Sequence, residues 1–198
     1  MKKILLLIIF ITTGCIKYTD LKDLSIIKSV GIEYHDYYTI YAQVYNDIKK
    51  NTDPETKIIK ANGKTIKEAF INLKTVSNKK LYYSHIDLLI FDTRLSNNNY
   101  NEIINYLINN NEFRNDYLVM LSNDIYNTLD NSKYDEIENL IKTNNLTIKI
   151  NFINLINDFI NNKTFIISKI DYDNNIIYTG NYKYKNNKIE RINNEKQD

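Results

Sequence analysis

The sequence predicts an α+β fold: a mixed β-sheet with packed helices over residues 25 to 143, followed by a truncated second α+β unit over residues 144 to 198. Three observations carry this. Val30, Ile32 and Tyr34 alternate with Gly31 and Glu33, and Ile40, Ala42 and Val44 alternate with Tyr41, Gln43 and Tyr45, the period of strands with one buried face. Ile66, Ala69, Phe70, Leu73 and Val76 recur at helical spacing and give one apolar stripe. Ile86 to Phe91 is almost continuously apolar, as expected of a strand covered on both faces.

The chain opens with a secretory pattern over residues 1 to 14. Lys2 and Lys3 precede the apolar run Ile4 to Ile11, and the small residues Thr12, Thr13 and Gly14 follow. Eight apolar residues fall short of the roughly 20 that a helix needs to cross a bilayer, so the segment reads as a signal peptide that is removed. Cys15 comes next and is the chain's single cysteine. A lone cysteine in an exported protein is a free thiol, an intermolecular disulfide partner or a modification site. Its place after Gly14 resembles the lipobox cysteine of bacterial lipoproteins, which implies a diacylated (palmitate-type) anchor at Cys15 with residues 15 to 24 as tether. Two acyl chains anchor a protein stably where one does not.

Of the 26 Lys and Arg residues, Lys2 and Lys3 leave with the signal, so the remaining 24 balance 24 Asp and Glu. That balance, without a run of five like charges, offers no footprint for nucleic acid and no polybasic membrane patch. With four Gly and one Pro in the whole chain, the Asn clusters at 97 to 99 and 109 to 111 are read as its loop and helix-end punctuation.

The elements follow in order. A β-hairpin turns at His35-Asp36, and Thr56 to Ala61 adds an edge strand before the Asn62-Gly63 turn. Thr65 and Glu68 have capping-box spacing, so a helix starts there. A second helix covers about Tyr100 to Asn110, and Tyr117 to Leu121 is a further apolar strand; strand, helix, strand at this spacing predicts a parallel crossover. Short helices are expected near Asp124 to Leu129 and Asp135 to Lys142, with a boundary near Asn144. Beyond it lie a helix over Phe152 to Ile160, strands over Thr164 to Ile170 and Ile176 to Lys185, and a polar tail of a dozen residues expected to fray.

Several ordered blocks resemble the Ger(x)C family, the lipoprotein C subunits of nutrient receptors in spore germination. Val30-Gly31-Ile32-Glu33 follows the lipobox-like cysteine. Gly63-Lys64-Thr65-Ile66-Lys67-Glu68-Ala69 resembles that family's helix start, Leu81-Tyr82-Tyr83-Ser84-His85 the block entering its next strand, and Glu112-Phe113-Arg114 its acidic-x-Arg. The signature residues carried over are Gly31, Thr65, Glu68, Tyr82, Ser84, His85 and Arg114, each read as structural. The resemblance implies a non-enzymatic germinant-receptor subunit without cofactor. It would be held by lipid at the extracytoplasmic face of the cell or inner spore membrane, beside multi-spanning A and B subunits. A solute-binding or envelope lipoprotein unrelated to germination is the alternative.

Sharper chemistry at this block is disfavoured. Adjacent residues of an extended segment point to opposite faces, so Ser84 and His85 are badly placed as nucleophile and base. His85 and Asp87 share a face, but only His35 remains as a further imidazole and no cysteine or carboxylate cluster completes a metal site. His85 is therefore expected to donate to a backbone carbonyl, and Arg114 to pair with Glu112 or with carbonyls at a helix end. Tyr37, Tyr38, Tyr41 and Tyr45 are a candidate exposed aromatic patch.

Overall fold

A computed structural model describes residues 23–46, 55–131, 134–144, 148–162, 164–186 and 188–192. The expected signal segment, Cys15 and most of the tether lie outside the described residues. The described chain is α+β, with nine strands in one mixed sheet and five helices. The strands are β1 (Leu24–Tyr34), β2 (Tyr38–Asn46), β3 (Glu55–Gly63), β4 (Lys80–Tyr82), β5 (Leu88–Asp92), β6 (Leu118–Ser122), β7 (Thr164–Asp173), β8 (Asn175–Lys185) and β9 (Lys188–Arg191). The helices are α1 (Ile66–Val76), α2 (Asn97–Ile108), α3 (Ile125–Asp130), α4 (Tyr134–Thr143) and α5 (Phe152–Asn162).

The sheet runs β3-β2-β1-β5-β6-β7-β8-β9, with β4 paired to β1 in line with β5. Antiparallel hairpins form both flanks, while β1, β5, β6 and β7 are parallel. Parallel neighbours require crossovers, which α1, α2 and the group α3 to α5 supply. The hairpin, the edge strand and the β5-α2-β6 crossover are where the hydrophobic periodicity placed them.

The strands of the parallel centre are buried on both sides. In β5, Leu89 and Phe91 enter one core with α1, α2 and α5, while Leu88 and Ile90 enter a second with α3 and α4. Gly31 in β1 faces this second layer, and a β-carbon there would lie 2.1 Å from Ile125 Cγ2 of α3. The glycine is thus set by close helix approach, not by backbone conformation. At α1, the Thr65 hydroxyl accepts from the Glu68 amide at 3.2 Å, while the Glu68 carboxylate takes the Lys64 amide at 2.7 Å, one residue earlier than a strict capping box.

Several expectations need correction. The boundary near Asn144 does not part the sheet: β7 lies beside β6, and Phe152, Leu155, Phe159, Phe165, Ile167 and Tyr184 share one core with Phe91 and Tyr100. Residues after 144 carry an apolar face that is buried only by joining the first core. Within the tail expected to fray, Lys188–Arg191 pairs with β8 as the edge strand β9. The second helix starts at Asn97, because the Ser96 hydroxyl accepts from the Asn99 amide and the Asn99 side chain accepts from the Ser96 amide. Of the four hairpin tyrosines, Tyr38 and Tyr41 are buried, so no continuous aromatic patch faces solvent.

Candidate functional site

The chemistry-bearing residues of the Leu81 to Asp87 block sit where a strand is interrupted. Tyr82 of β4 is in register with Ile26 and Leu88 of β5 with Ser29. Two residues of β1, Ile27 and Lys28, thus face five residues, 83 to 87, which must loop out. The loop is pinned at both ends of its turn: Ile86 N–H donates to the Tyr83 carbonyl at 3.2 Å and Asp87 N–H to the Lys28 carbonyl at 2.9 Å. Asp87 also pairs with the Lys28 ammonium at 2.6 Å, and its carbonyl accepts from Leu118 N–H at 3.0 Å, tying in the start of β6.

A second loop, residues 111 to 117, lies against the first. Tyr83 and Phe113 turn inward, their ring centroids 4.7 Å apart, and both pack on Phe70 of α1 at 6.0 and 5.3 Å. Outside this aromatic floor the polar groups bridge the loops. Ser84 Oγ donates to the Glu112 carbonyl at 3.3 Å, and Lys74 Nζ donates to both Glu112 carboxylate oxygens at 2.9 and 2.7 Å. Lys74 is also 5.8 Å from the centroid of the Tyr83 ring. Arg114 pairs with Asp116 in a forked contact, Nε to Oδ1 at 3.0 Å and Nη2 to Oδ2. The guanidinium holds the Asp116 carboxyl below its usual range. An open cleft of about 710 Å³ adjoins these loops along α1, lined by Lys67, Ile71, Lys74, Tyr106 and Asn110 among others.

His85 is exposed at the loop apex, its ring centroid 5.4 Å from that of half-exposed Tyr82. The expected donation from His85 to a backbone carbonyl is replaced by this ring contact, because the turn carries the imidazole outward. Arg114 likewise takes Asp116, since Glu112 is engaged by Lys74. Ser84, His85 and Asp87 each have a different partner, and no two of them are brought together. Among the described residues no group of three or more His, Cys, Asp or Glu is placed to hold a metal ion.

The seven signature residues therefore fall into two groups. Tyr82, Ser84, His85 and Arg114 lie in or beside the two loops, whereas Gly31, Thr65 and Glu68 belong to the framework that seats α3 and starts α1. Sequence reasoning missed Lys74, which reads as an ordinary solvated helix position, and Glu102. Glu102 accepts from Tyr38 Oη at 2.7 Å and from Ile66 N–H at 2.9 Å, binding β2, α1 and α2 together; a lone glutamate on a polar helix face gives no signal of this.

These features define a single-sheet α+β domain with a pinned, polar double loop at one end of its parallel strands. Residues 17–172 match the family model described as spore germination protein N-terminal domain, and the chain belongs to that family. Comparison with curated proteins and with solved structures gives no match. A role in germination follows at that level. No helix among the described residues is long and apolar enough to cross a membrane.

Proposed function

We propose that this chain is a non-enzymatic, lipid-anchored subunit of a nutrient-germinant receptor. It is held at the extracytoplasmic face of the cell or inner spore membrane by a diacylated Cys15 and works with two multi-spanning partners, the A and B subunits. The observation that carries the reading is the family match beginning at residue 17, two residues after a lipobox-like cysteine. The double loop supports a coupling role over catalysis: its hydroxyl, imidazole and carboxylate are each committed to a different neighbour, and a nucleophile needs its base within hydrogen-bond reach.

The experiment compares spores with and without this gene for dipicolinate release after nutrient exposure, with a nutrient-independent trigger as control. Loss of the nutrient response alone is the expected result. An unchanged nutrient response removes the receptor reading. Cys15→Ala is expected to release the chain from membranes, and acylation of that variant's N-terminus contradicts the anchor.

A further inference from the structure

The cleft beside the double loop is built from two helices and one connection. It lies between α1 and the C-terminal half of α2, and its volume of about 710 Å³ falls within the range of small-ligand sites. Ile71 and Tyr106 supply its apolar wall. Ile71 is 51% exposed, and the half-buried Tyr106 ring is stacked on Phe70 at 5.0 Å. Beside that wall stand three successive carboxamides, Asn109 to Asn111, where α2 ends and the second loop begins.

Some of these polar groups are fixed in place, and others retain hydrogen-bonding capacity. Asn110 donates through Nδ2 to Tyr106 Oη at 3.1 Å and accepts through Oδ1 from the Glu112 amide at 3.1 Å, which sets its carboxamide. Asn109 donates through Nδ2 to the Asn105 carbonyl at 2.8 Å. Its Oδ1, the Asn111 side chain and the Tyr106 hydroxyl proton have no partner among the described residues. Tyr83 is 2% exposed, and its Oη also lacks a partner among the described residues. Lys74 of the cleft lies over its ring at 5.8 Å; burial raises the pKa of its hydroxyl, and Tyr106 and Glu112 of the cleft raise it further. A buried polar group left in this way calls for an explanation.

Charge narrows the class of ligand. The charged residues of the lining are Lys67, Lys74 and Glu112, and Lys74 holds both Glu112 carboxylate oxygens at 2.9 and 2.7 Å. The carboxylate is thus already neutralised against a cation. An anion is disfavoured as well, because α2 has no basic residue in its last turn and the negative end of its dipole points at Asn109 to Asn111. A neutral ligand rich in hydroxyls meets both conditions. Carboxamides and phenols donate to hydroxyls and accept from them, and the C–H face of a sugar ring packs on aliphatic and aromatic surface. We infer that the cleft between α1 and α2 binds a neutral sugar ring, free or as a residue of a glycan, against Ile71 and Tyr106, with the carboxamides of Asn109 to Asn111 bonded to its hydroxyls. Binding here requires neither the lipid anchor nor a multi-spanning partner.

The test is saturation-transfer NMR on the full chain in lipid nanodiscs, with glucose and tri-N-acetylchitotriose as sugar probes and succinate as the anion. Saturable transfer to the ring protons of at least one sugar is the expected result. Tyr106→Phe and Asn110→Ala should each weaken it about fivefold, as the loss of one hydrogen bond does. Ile71→Arg, at an exposed helix position, should abolish it by filling the cleft, whereas Tyr37→Phe, at the β1-β2 turn outside the cleft, should leave it unchanged. Near-ultraviolet circular dichroism matching the parent establishes that each variant is folded. Tighter binding of chitotriose than of glucose identifies a glycan as the source, and binding no tighter identifies a free sugar. Absence of transfer to both sugars overturns the inference, as does sugar binding that Tyr106→Phe, Asn110→Ala and Ile71→Arg all leave unchanged. Succinate binding more tightly than either sugar, and weakened by the same variants, overturns the neutral class. The spore assay above decides the receptor reading separately.

Discussion

The two faces of the sheet are held by different physics. On the face beneath α1, α2 and α5 the contacts are aromatic: Tyr100 meets Phe91, Phe165 and Tyr184 at 5.3, 5.4 and 5.0 Å, and Phe165 stacks on Tyr184 at 4.9 Å. On the face beneath α3 and α4 polar side chains of the sheet reach up to the helical layer. Gln43 takes a hydrogen bond from Ser29 Oγ at 3.1 Å and donates to the Leu129 carbonyl at 2.8 Å, and Ser122 shares a bond with Thr128 at 2.9 Å. At α3 the difference follows from helix length. Helices of eleven or twelve residues bury whole apolar stripes, whereas α3 has six residues and supplies Ile125 and Leu129. A helix that short is marginal by itself, and hydrogen bonds to buried partners hold it where area cannot.

Alkaline pH should separate the faces most sharply. Burial raises the pKa of Tyr38, Tyr83, Tyr100, Tyr106, Tyr117 and Tyr184 on the aromatic face, and of Tyr41, Tyr45 and Tyr178 on the other. A folded-state pKa above the unfolded value of about 10 means stability fully present below pH 10 and lost as pH rises towards the folded values. Near-ultraviolet circular dichroism and tyrosinate absorbance should therefore change together in one cooperative step above pH 10. Tyrosines ionising gradually in an intact fold would show that the aromatic face is not the cooperative unit.

Next in size, Tyr100→Ala should cost about 3–5 kcal/mol in urea unfolding, as large aromatic deletions in cores do. Tyr100→Phe should be neutral or stabilise by up to about 1 kcal/mol, because the hydroxyl it removes is buried without a hydrogen-bond partner among the described residues. A costly Tyr100→Phe would contradict that description of the site.

On the polar face, Gly31→Ala drives a β-carbon into α3 and should cost about 1–3 kcal/mol, relieved in a double variant with Ile125→Ala. Strict additivity of the two changes would mean that α3 does not set the glycine. Smallest, Gln43→Leu should cost about 1–2 kcal/mol by leaving the Ser29 hydroxyl and Leu129 carbonyl without this partner. Equal proteolytic protection of α3 in that variant and the parent would argue that apolar contact alone seats the helix.

Much of this architecture was legible because local signals agreed with tertiary need. The alternation in β1 and β2, the Thr65 cap and the apolar run of β5 each name an element whose burial follows from its own period. Other parts were not legible for specific reasons. β4 is three residues long and exists by pairing with Leu24, Ser25 and Ile26, far away in sequence. β9 is a charged edge strand whose outward polarity reads as tail. Gly31 reads in the sequence as an alternate position of a strand with one buried face, while the reason it is glycine, the Ile125 methyl, lies 94 residues on.

The sequence by itself determined the α+β class, the order of most elements and, through the resemblance now matched over residues 17–172, the family. Those depend on periodicity, capping and residue identity, which act over a few positions. Only the tertiary structure decided that β7 to β9 complete a single sheet, that Ser84, His85, Glu112 and Arg114 gather at the end where the chain enters, and that Ser84 and His85 have separate partners. These are consequences of strand pairing and packing between segments with no local signal of one another, set by which apolar faces can be covered together.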